Sequence, residues 1–251
     1  MLIMKKISTF LLVATLLTLC SCSSGNFAVN KFVADGENST KEYTLTAFNT
    51  VNVSNNFDVE IVEGNQNKVV VSVPANIIDY VDIHVTDNCL FVSYTENMQI
   101  DKNGHEFKVH VTMPELVAAD ASGQSQIVSR LTRYNDLKVD CSGQSAFEFA
   151  GKAITCNELN IAVSGQSEVE ADGITCNSFD AKSSGQADIK IEMMKADTVD
   201  AKASGQAEIE FGQLDCTTVK AEASGQSEIK ARKGNRVTVQ QNVSGQASVI
   251  L

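Results

Sequence analysis

The sequence predicts an all-β chain whose C-terminal half is a parallel β-solenoid. The tripeptide Ser-Gly-Gln occurs seven times, and successive glycines are 20, 22, 20, 20, 20 and 20 residues apart. Apolar and polar residues alternate on both sides of each glycine, which is the pattern of half-buried strands. Two prolines, no tryptophan and few strong helix signals agree with this class. The seven glycines are Gly123, Gly143, Gly165, Gly185, Gly205, Gly225 and Gly245.

Each repeat is predicted to be one coil of about 20 residues with three short strands. The position four residues after the glycine is always Ile, Val or Phe, as in Ile209. A third inward pair lies eleven and nine residues before the glycine, as in Ile174 and Cys176. One such coil cannot bury its apolar face alone, but parallel coils stacked about 4.8 Å apart share a continuous core. The glycines are predicted to form the turns, because glycine adopts a left-handed backbone without a Cβ clash.

Stacked repeats place equivalent residues in ladders along the rod. The glutamines from Gln124 to Gln246 can link their side-chain amides from coil to coil. Residues three positions after the glycine form an acidic stripe that no Lys or Arg joins in the sequence pattern. The residues five positions after the glycine alternate between negative and positive charge over four successive coils, from Glu170 to Lys230. The stripe, which we take as a candidate binding surface, consists of Glu168, Asp188, Glu208 and Glu228.

Residues 45–116 also alternate but lack the period of 20. Runs such as Lys68-Val-Val-Val-Ser-Val73 predict strands, and Asn103-Gly104 predicts a turn. We interpret this region as a β-rich cover over the first coil, because an open solenoid end exposes a strand edge that invites aggregation. The predicted organisation is a signal peptide at 1–21, a linker at 22–44, the β-rich region at 45–116 and the repeat solenoid at 117–251.

A series of landmarks over about residues 45–251 resembles a known family. The landmarks are Phe48-Asn-Thr-Val-Asn-Val, Phe57-Asp-Val-Glu-Ile-Val-Glu-Gly64, Leu90-Phe-Val and Val109-His-Val-Thr-Met-Pro-Glu-Leu116, followed by Ser-Gly repeats. They resemble the "putative auto-transporter adhesin, head GIN domain" family of Gram-negative envelope proteins. The resemblance implies a right-handed parallel β-helix and an exported or lipid-anchored protein, and it brings no catalytic residues with it. This chain has Ser-Gly-Gln followed by Ser or Ala throughout and no Gly-Ile-Asn.

The N-terminus has the features of a bacterial lipoprotein signal. Lys5 and Lys6 precede a short apolar stretch, which is too short for a membrane span. Leu19-Cys20-Ser21-Cys22 resembles a lipobox, with a small residue before the cysteine that is acylated. Cys22 is therefore the predicted lipid anchor, and Cys20 is the weaker alternative because Leu19 would then precede it. This signal predicts a lipoprotein of the outer membrane, attached on either its periplasmic face or the cell surface.

The charge of the mature chain limits its partners. Removal of Lys5 and Lys6 leaves 18 basic against 31 acidic residues, a net charge of about −13. Nucleic acid and anionic lipid both require positive patches, so we expect neither, and membrane attachment must come from the acyl chains. The predicted partners are a glycan or a protein. We expect no cofactor and no metal, since the sequence has no CxxC pair and no His/Cys cluster at zinc spacing.

Five cysteines remain in the mature chain after Cys22, an odd number for an oxidising compartment. Cys156 and Cys176 would be neighbours in adjacent coils. The sequence leaves two roles open for them: a strained disulfide, or two small apolar side chains that fill the core. Cys89, outside the repeats, has no evident partner in the sequence.

The pattern favours a binding or scaffold protein over an enzyme. The repeated serines recur in all seven coils, and the three histidines precede the repeats, so a Ser/His site is not expected. A carbohydrate-active β-helix enzyme is the alternative, since Glu208 and Glu228 would be suitably spaced for glycosidic cleavage if they stacked one coil apart. A purely structural periplasmic protein is the third class.

The sequence stops within the strand that follows Gly245. Solenoids normally need a capping unit at each end, because a bare final coil offers unpaired backbone groups and apolar core. We therefore expect this end to be covered, either by a folded-back N-terminal segment or by a second molecule in a homodimer.

Overall fold

The computed structural model describes residues 30–95, 98–234 and 237–251. The signal sequence, Cys20 and Cys22 lie outside these residues. The described chain is almost entirely β, and its helical content is one turn of 3-10 helix at Ile78–Tyr80. The first nine strands are β1 Asn30–Val33, β2 Asn38–Tyr43, β3 Thr50–Val53, β4 Asp58–Glu63, β5 Lys68–Pro74, β6 Val81–Thr86, β7 Cys89–Tyr94, β8 Met98–Asp101 and β9 Lys108–Met113.

The seven repeats form seven parallel coils, as the sequence predicts. Coils stack in register, so that each Ser-Gly-Gln lies on the next, and Gly185 pairs with Gly205. Between β16 and β17 the paired residues fall in three segments of each coil, 168–171, 173–176 and 178–185. These segments are the three predicted sides. The repeat strands are β10 Ala118–Ala121, β11 Gln126–Ser129, β12 Asp136–Cys141, β13 Ala146–Phe149, β14 Ile154–Thr155, β15 Glu158–Gly165, β16 Glu168–Gly185, β17 Asp188–Gly205, β18 Glu208–Gly225, β19 Glu228–Lys233, β20 Thr238–Gly245 and β21 Ser248–Ile250.

The parallel stack continues beyond the repeats into the N-terminal region. Strands β3 and β4 pair in parallel with β10 and β11, and β7 and β9 pair in parallel with β3 and β4. Spatial order therefore differs from chain order, because residues 50–63 lie between the first repeat and residues 89–113. Antiparallel strands then cover this end, with β5 between β2 and β9, and β6 beside β7. The boundary at 117 marks where the Ser-Gly-Gln repeat begins, and the stack itself begins earlier.

Residues 30–43 are not a linker, contrary to the sequence-based prediction for 22–44. They contain β1, which pairs with β8, and β2, which pairs with β5. Most side chains of both strands are exposed, so that neither strand has a clear apolar period. Backbone hydrogen bonding to an available strand edge holds them, and such bonding leaves little trace in the side-chain pattern.

The core is a column of apolar side chains inside the coils. The residue four positions after each glycine is fully buried in most coils, and Ile189, Ile209 and Ile229 are 0% exposed. Phe179, six residues before Gly185, and Phe211, six residues after Gly205, pack against each other in the interior, with ring centroids 6.0 Å apart in an edge-on arrangement. Buried serines follow the turns, and the Oγ of Ser145 donates to the carbonyls of Ser142 and Ala121 at 2.9 Å each. The interior is thus apolar except for buried hydroxyls, which bond the turn backbone or, at Ser129, the hydroxyl of Tyr134.

The last coil lacks a cover among the described residues. Strands β20 and β21 pair with β18 and β19, on one side only, in the described chain. Val243 is 43% exposed and Ile250 is 58% exposed. The described N-terminal strands pair at the opposite end of the stack, so the fold-back that we considered is not seen in residues 30–95 and 98–116.

Candidate functional site

The turn column runs the length of the repeats. All seven Ser-Gly-Gln glycines have φ between 75° and 85°. The carbonyl of each of the first six glycines accepts the backbone N–H of the glutamine in the next coil, as in the 2.7 Å bond from Gln206 to Gly185. The glutamine side chains add an unbroken ladder, in which Nε2 of each donates to Oε1 of the next at 2.9–3.2 Å from Gln124 to Gln246. This column is structural, since its polar groups already bind one another.

The turn column extends one coil further than the sequence pattern. Asn55 has φ of 70° and lies where a glycine would stand, and its carbonyl accepts the N–H of Gln124. Asparagine tolerates the left-handed region better than most residues. The signal was present as Ser54-Asn-Asn56 followed by alternating residues from Phe57, but the long insertion after it hides the period.

Two exposed faces of the rod differ in charge. The face before the glycines, which we call the balanced face, has five acids against four lysines at the positions five and three residues before the glycine, and each lysine has an acid in its own strand. A lysine and an acid two residues apart in the same strand form an ion pair on this face. The distances are 2.9 Å for Lys182 with Asp180 and 3.2 Å for Lys202 with Asp200. Its charged residues are Asp120, Lys138, Asp140, Asp180, Lys182, Asp200, Lys202, Lys220 and Glu222.

The face after the glycines, which we call the acidic face, has the excess of negative charge. At the positions three and five residues after the glycine it carries seven acids against two lysines. The predicted stripe lies on it, and the in-register pairing of β16 to β19 places its four members on successive coils. The charged residues of the acidic face are Glu148, Glu168, Glu170, Asp188, Lys190, Glu208, Glu210, Glu228 and Lys230.

Lysines do join the acidic stripe, which corrects the expectation that none would. Nζ of Lys190 lies 2.7 Å from Glu168, and Nζ of Lys230 lies 2.5 Å from Glu208. Each lysine lies in the coil after its glutamate and two residues further along the repeat, so a comparison of equivalent repeat positions does not pair them. Lys230 also lies 3.2 Å from Glu210 in its own ladder, as the alternating charges predict. These exposed pairs are worth about 0.2–1 kcal/mol each.

The lysine contacts give two neighbouring carboxyls on the acidic face different proton affinities. The hydrogen bond from Lys190 lowers the pKa of Glu168. Burial raises the pKa of Glu170, and the adjacent Glu168 raises it further. Burial is also the main cause of the raised pKa of Asp188, where Glu208 and Glu168 add repulsion. The face therefore combines a firmly ionised carboxylate with carboxyls that hold protons more tightly than usual.

A depression of about 390 Å³ lies at the edge of the acidic face. Its volume falls within the range typical of small-ligand sites. Two small residues, Ala150 and Ala171, form part of its lining, and the charged groups surround them. The charged lining residues are Arg130, Glu148, Glu170, Asp172, Lys190 and Glu192. Arg130, Asp172 and Glu192 were not selected from the sequence, because each lies seven residues after a repeat glycine and the charged ladders were sought at three and five residues after it.

Arg130 is held in place by the N-terminal region. Its Nε donates to Oε1 of Glu60, and Nδ1 of His110 lies 3.1 Å from the other oxygen of the same carboxylate. The hydrogen bond from Arg130 is the largest cause of the lowered pKa of Glu60. A charged cluster thus forms where residues 50–63 and 89–113 meet the first repeat, and only the non-sequential stacking brings it together.

Neither metal ligation nor membrane spanning is indicated in the described chain. No group of three or more His, Cys, Asp or Glu in the described ranges is placed to hold a metal ion. Within those same ranges, no helix is long and apolar enough to cross a membrane.

Comparison with known proteins agrees with this architecture. The family model described as "Putative auto-transporter adhesin, head GIN domain" matches residues 47–251. The chain belongs to this family. The match begins just before β3 and so includes the two non-repeat levels of the stack as well as the seven coils.

Solved structures from Bacteroides and Parabacteroides species share the fold of this family member. A putative adhesin from Bacteroides fragilis has a TM-score of 0.73 at 19% identity, over 87% of this chain and 98% of its own. A putative adhesin from Parabacteroides distasonis has a TM-score of 0.72 at 20% identity, over 88% and 100%. A putative lipid binding protein from the same species has a TM-score of 0.76 at 14% identity, over 88% and 98%. No curated protein matches the chain significantly.

Proposed function

We propose that this family member is a non-enzymatic, adhesin-like lipoprotein of the cell envelope that binds a protein or glycan through its acidic face. The observation that carries the proposal is the difference in charge between the two faces. On the balanced face every lysine has an acid in its own strand and the excess is one acid, while the acidic face has five more acids than lysines. A protein that only needed a stable rod would gain little from such an asymmetry.

The chemistry of the acidic face indicates the kind of partner. Carboxylates in register offer a row of hydrogen-bond acceptors for ammonium groups, guanidinium groups or sugar hydroxyls. Arg130 and Lys190 add donors within the depression. A basic protein surface is the better electrostatic match, and a glycan with many hydroxyls is the second. Anionic lipid head groups would be repelled, so the lipid-binding name of one structural neighbour does not extend to this face.

We place the protein at the envelope, with Cys22 as its lipid anchor. The adhesin names of the family and of two structural neighbours support an extracellular or envelope-associated site. The lipobox at Cys22 supports the anchor. An acyl anchor would leave the rod free to present its faces.

A binding screen with paired variants tests the proposal. The purified mature chain would be screened against envelope and host glycans and against envelope proteins. Removing two carboxylates from the depression, in Glu148→Gln with Glu170→Gln, should weaken binding about tenfold or more. Removing two from the balanced face, in Asp180→Asn with Glu222→Gln, should change it little. Equal loss in both double variants, or no binding partner in the screen, would contradict the proposal.

A carbohydrate-active enzyme is the second candidate, favoured by the two carboxyls Glu168 and Glu170. Carboxyls whose pKa values are pushed apart are typical of acid and base roles. In this chain the two pKa values are separated by Lys190, which lowers that of Glu168, and by burial, which raises that of Glu170. The same diagonal ion pair recurs at Glu208 and Lys230. The arrangement is therefore part of the repeat. Release of new reducing ends from a polysaccharide by the wild type, and its loss in Glu170→Gln, would establish the enzyme instead.

A further inference from the structure

One coil of the solenoid is held less completely than its neighbours. The repeat between Gly143 and Gly165 has two more residues than the others. Its third side is reduced to β14, which pairs with β16 through only Ile154 and Thr155. The next coil pairs through four residues on the same side. Ala153, which precedes β14, has φ of 56°, a strained value for a residue with a Cβ.

Cys156 and Cys176 lie beside each other where this short pairing ends. The backbone N–H of Cys156 donates to the carbonyl of Thr175 at 3.1 Å, so that the register of β14 and β16 continues to the two cysteines. Neighbouring strands are about 4.8 Å apart, which is within the Cα separation of disulfides. The Cys176 thiol is close enough to lower the pKa of the Cys156 thiol. Cys176 is buried and Cys156 is half-buried.

No other described cysteine competes for this pairing. Cys216 stacks above Ala196, which itself stacks above Cys176, so Cys216 is two strand spacings away and out of disulfide range. Cys141 lies in the interior of a different side, paired in register with Val163. Cys89 pairs with Thr50 in the N-terminal region.

We propose that Cys156 and Cys176 form a disulfide that fastens the irregular coil to its neighbour after export. The oxidant is a protein disulfide of the envelope. The thiolate of Cys156 attacks one sulfur of that disulfide and forms a mixed disulfide, and the oxidant's other sulfur leaves as a thiolate. The Cys176 thiol then loses its proton and displaces the oxidant, which departs as a dithiol. Two protons and two electrons thus pass from the cysteine pair to the oxidant.

The surroundings of the two thiols agree with this order of events. The more exposed Cys156 meets the oxidant first. The hydrogen bond from Cys176 lowers the pKa of the Cys156 thiol, whereas the same hydrogen bond and burial raise that of Cys176. The proposal rests on export to an oxidising compartment and is independent of which ligand the acidic face binds.

The redox state of the five mature cysteines after Cys22 tests the proposal. Protein from the envelope fraction would be denatured, alkylated, digested and analysed by mass spectrometry before and after reduction. We expect one linkage, between the peptides of Cys156 and Cys176, and alkylation of Cys89, Cys141 and Cys216. Complete alkylation of all five without reduction would overturn the proposal.

Two controls separate failure of the pairing from failure of export. The purified mature chain, incubated in an oxidising glutathione buffer, should form the same linkage whatever its cellular location, and absence of the linkage there would also overturn the proposal. Reduction should lower the melting temperature by on the order of 5 °C in the wild type and in Cys216→Ala. It should leave that of Cys176→Ala unchanged. Equal effects of reduction on both variants would contradict the assignment.

Discussion

The carbonyl oxygen of Gly185 lies 2.9 Å from the point that a Cβ on Gly205 would occupy. Gly205 also has φ of 79°, so two separate physical reasons exclude a side chain there. The backbone angle is unfavourable for residues with a Cβ, and the turn of the preceding coil is too close. The same closeness allows the N–H of Gln206 to reach the carbonyl of Gly185 at 2.7 Å.

Gly205→Val should destabilise the rod by more than backbone strain alone. Strain at a positive φ costs about 1 to 3 kcal/mol, and the overlap with Gly185 adds to it. Gly36→Val is the matched control, because Gly36 has φ of 85° and no atom lies within 4 Å of the point that its Cβ would occupy. Urea unfolding of the three proteins would measure the difference. An equal or smaller loss at Gly205 would show that the turns do not need their close approach.

Ile209→Ala should lower the free energy of unfolding by about 2 to 5 kcal/mol, because the side chain is fully buried and leaves a cavity. Met193→Ala, at a side chain that is 62% exposed, should change it by no more than about 0.5 kcal/mol. Chemical denaturation gives both values. A small loss for Ile209→Ala would mean that the core relaxes around the gap.

The repeats could be predicted from sequence because each carries a regular inward pattern around an identical turn. The fold of residues 117–251 follows from positions such as Ile209 and Gly205, whose roles recur in every coil. The level at residues 50–63 was missed because Asn55 replaces the glycine and a long insertion follows. The cluster at Arg130 and Glu60 could not be predicted, since it depends on a stacking order that differs from the chain order.

The stability of the chain should depend on the ionisation of Asp120. Burial raises the pKa of this carboxyl, and the charge of Asp140 in the next coil raises it further, against Lys138 and Asn52, which lower it. The folded state therefore binds the proton more tightly than the unfolded chain. Its relative stability is complete below the ordinary aspartate pKa of about 3.9 and falls as the pH rises through the raised value.

Asp120→Asn should therefore melt at a higher temperature than the wild type at pH 7, and the two should converge near pH 3. Glu115→Gln, at an exposed carboxyl, is the control and should differ little from the wild type at neutral pH. Thermal melts across this range measure the effect. A variant that is less stable than the wild type at pH 7 would show that the Asp120 carboxylate is needed by its neighbours.

Cys22→Ala should abolish lipidation and release the protein in a soluble or uncleaved form. Metabolic labelling with a palmitate analogue measures the modification, and Cys20→Ala is the control that should keep it. Label that persists in Cys22→Ala and disappears in Cys20→Ala would move the anchor to Cys20.

The exposed edge of the last coil should pair with a second copy of the chain. Strands β20 and β21 are paired on one side only in the described residues, and Val243 in β20 and Ile250 in β21 are 43% and 58% exposed. An uncovered edge of this kind offers unpaired N–H and C=O groups together with apolar surface. The last coil of another copy has the same two described edge strands and the same unpaired groups, so the two edges match in size and chemistry.

Light scattering of the purified mature chain should then show a dimer whose share grows with concentration. Ile250→Lys should shift the equilibrium to the monomer, because it places like charges against each other in the pair. Val33→Lys is the matched control, since Val33 is 56% exposed on β1 and far from the last coil in the pairing order. A wild-type chain that stays monomeric at all concentrations would refute the pairing, and a dimer that survives Ile250→Lys and is lost in Val33→Lys would place the contact at the other end.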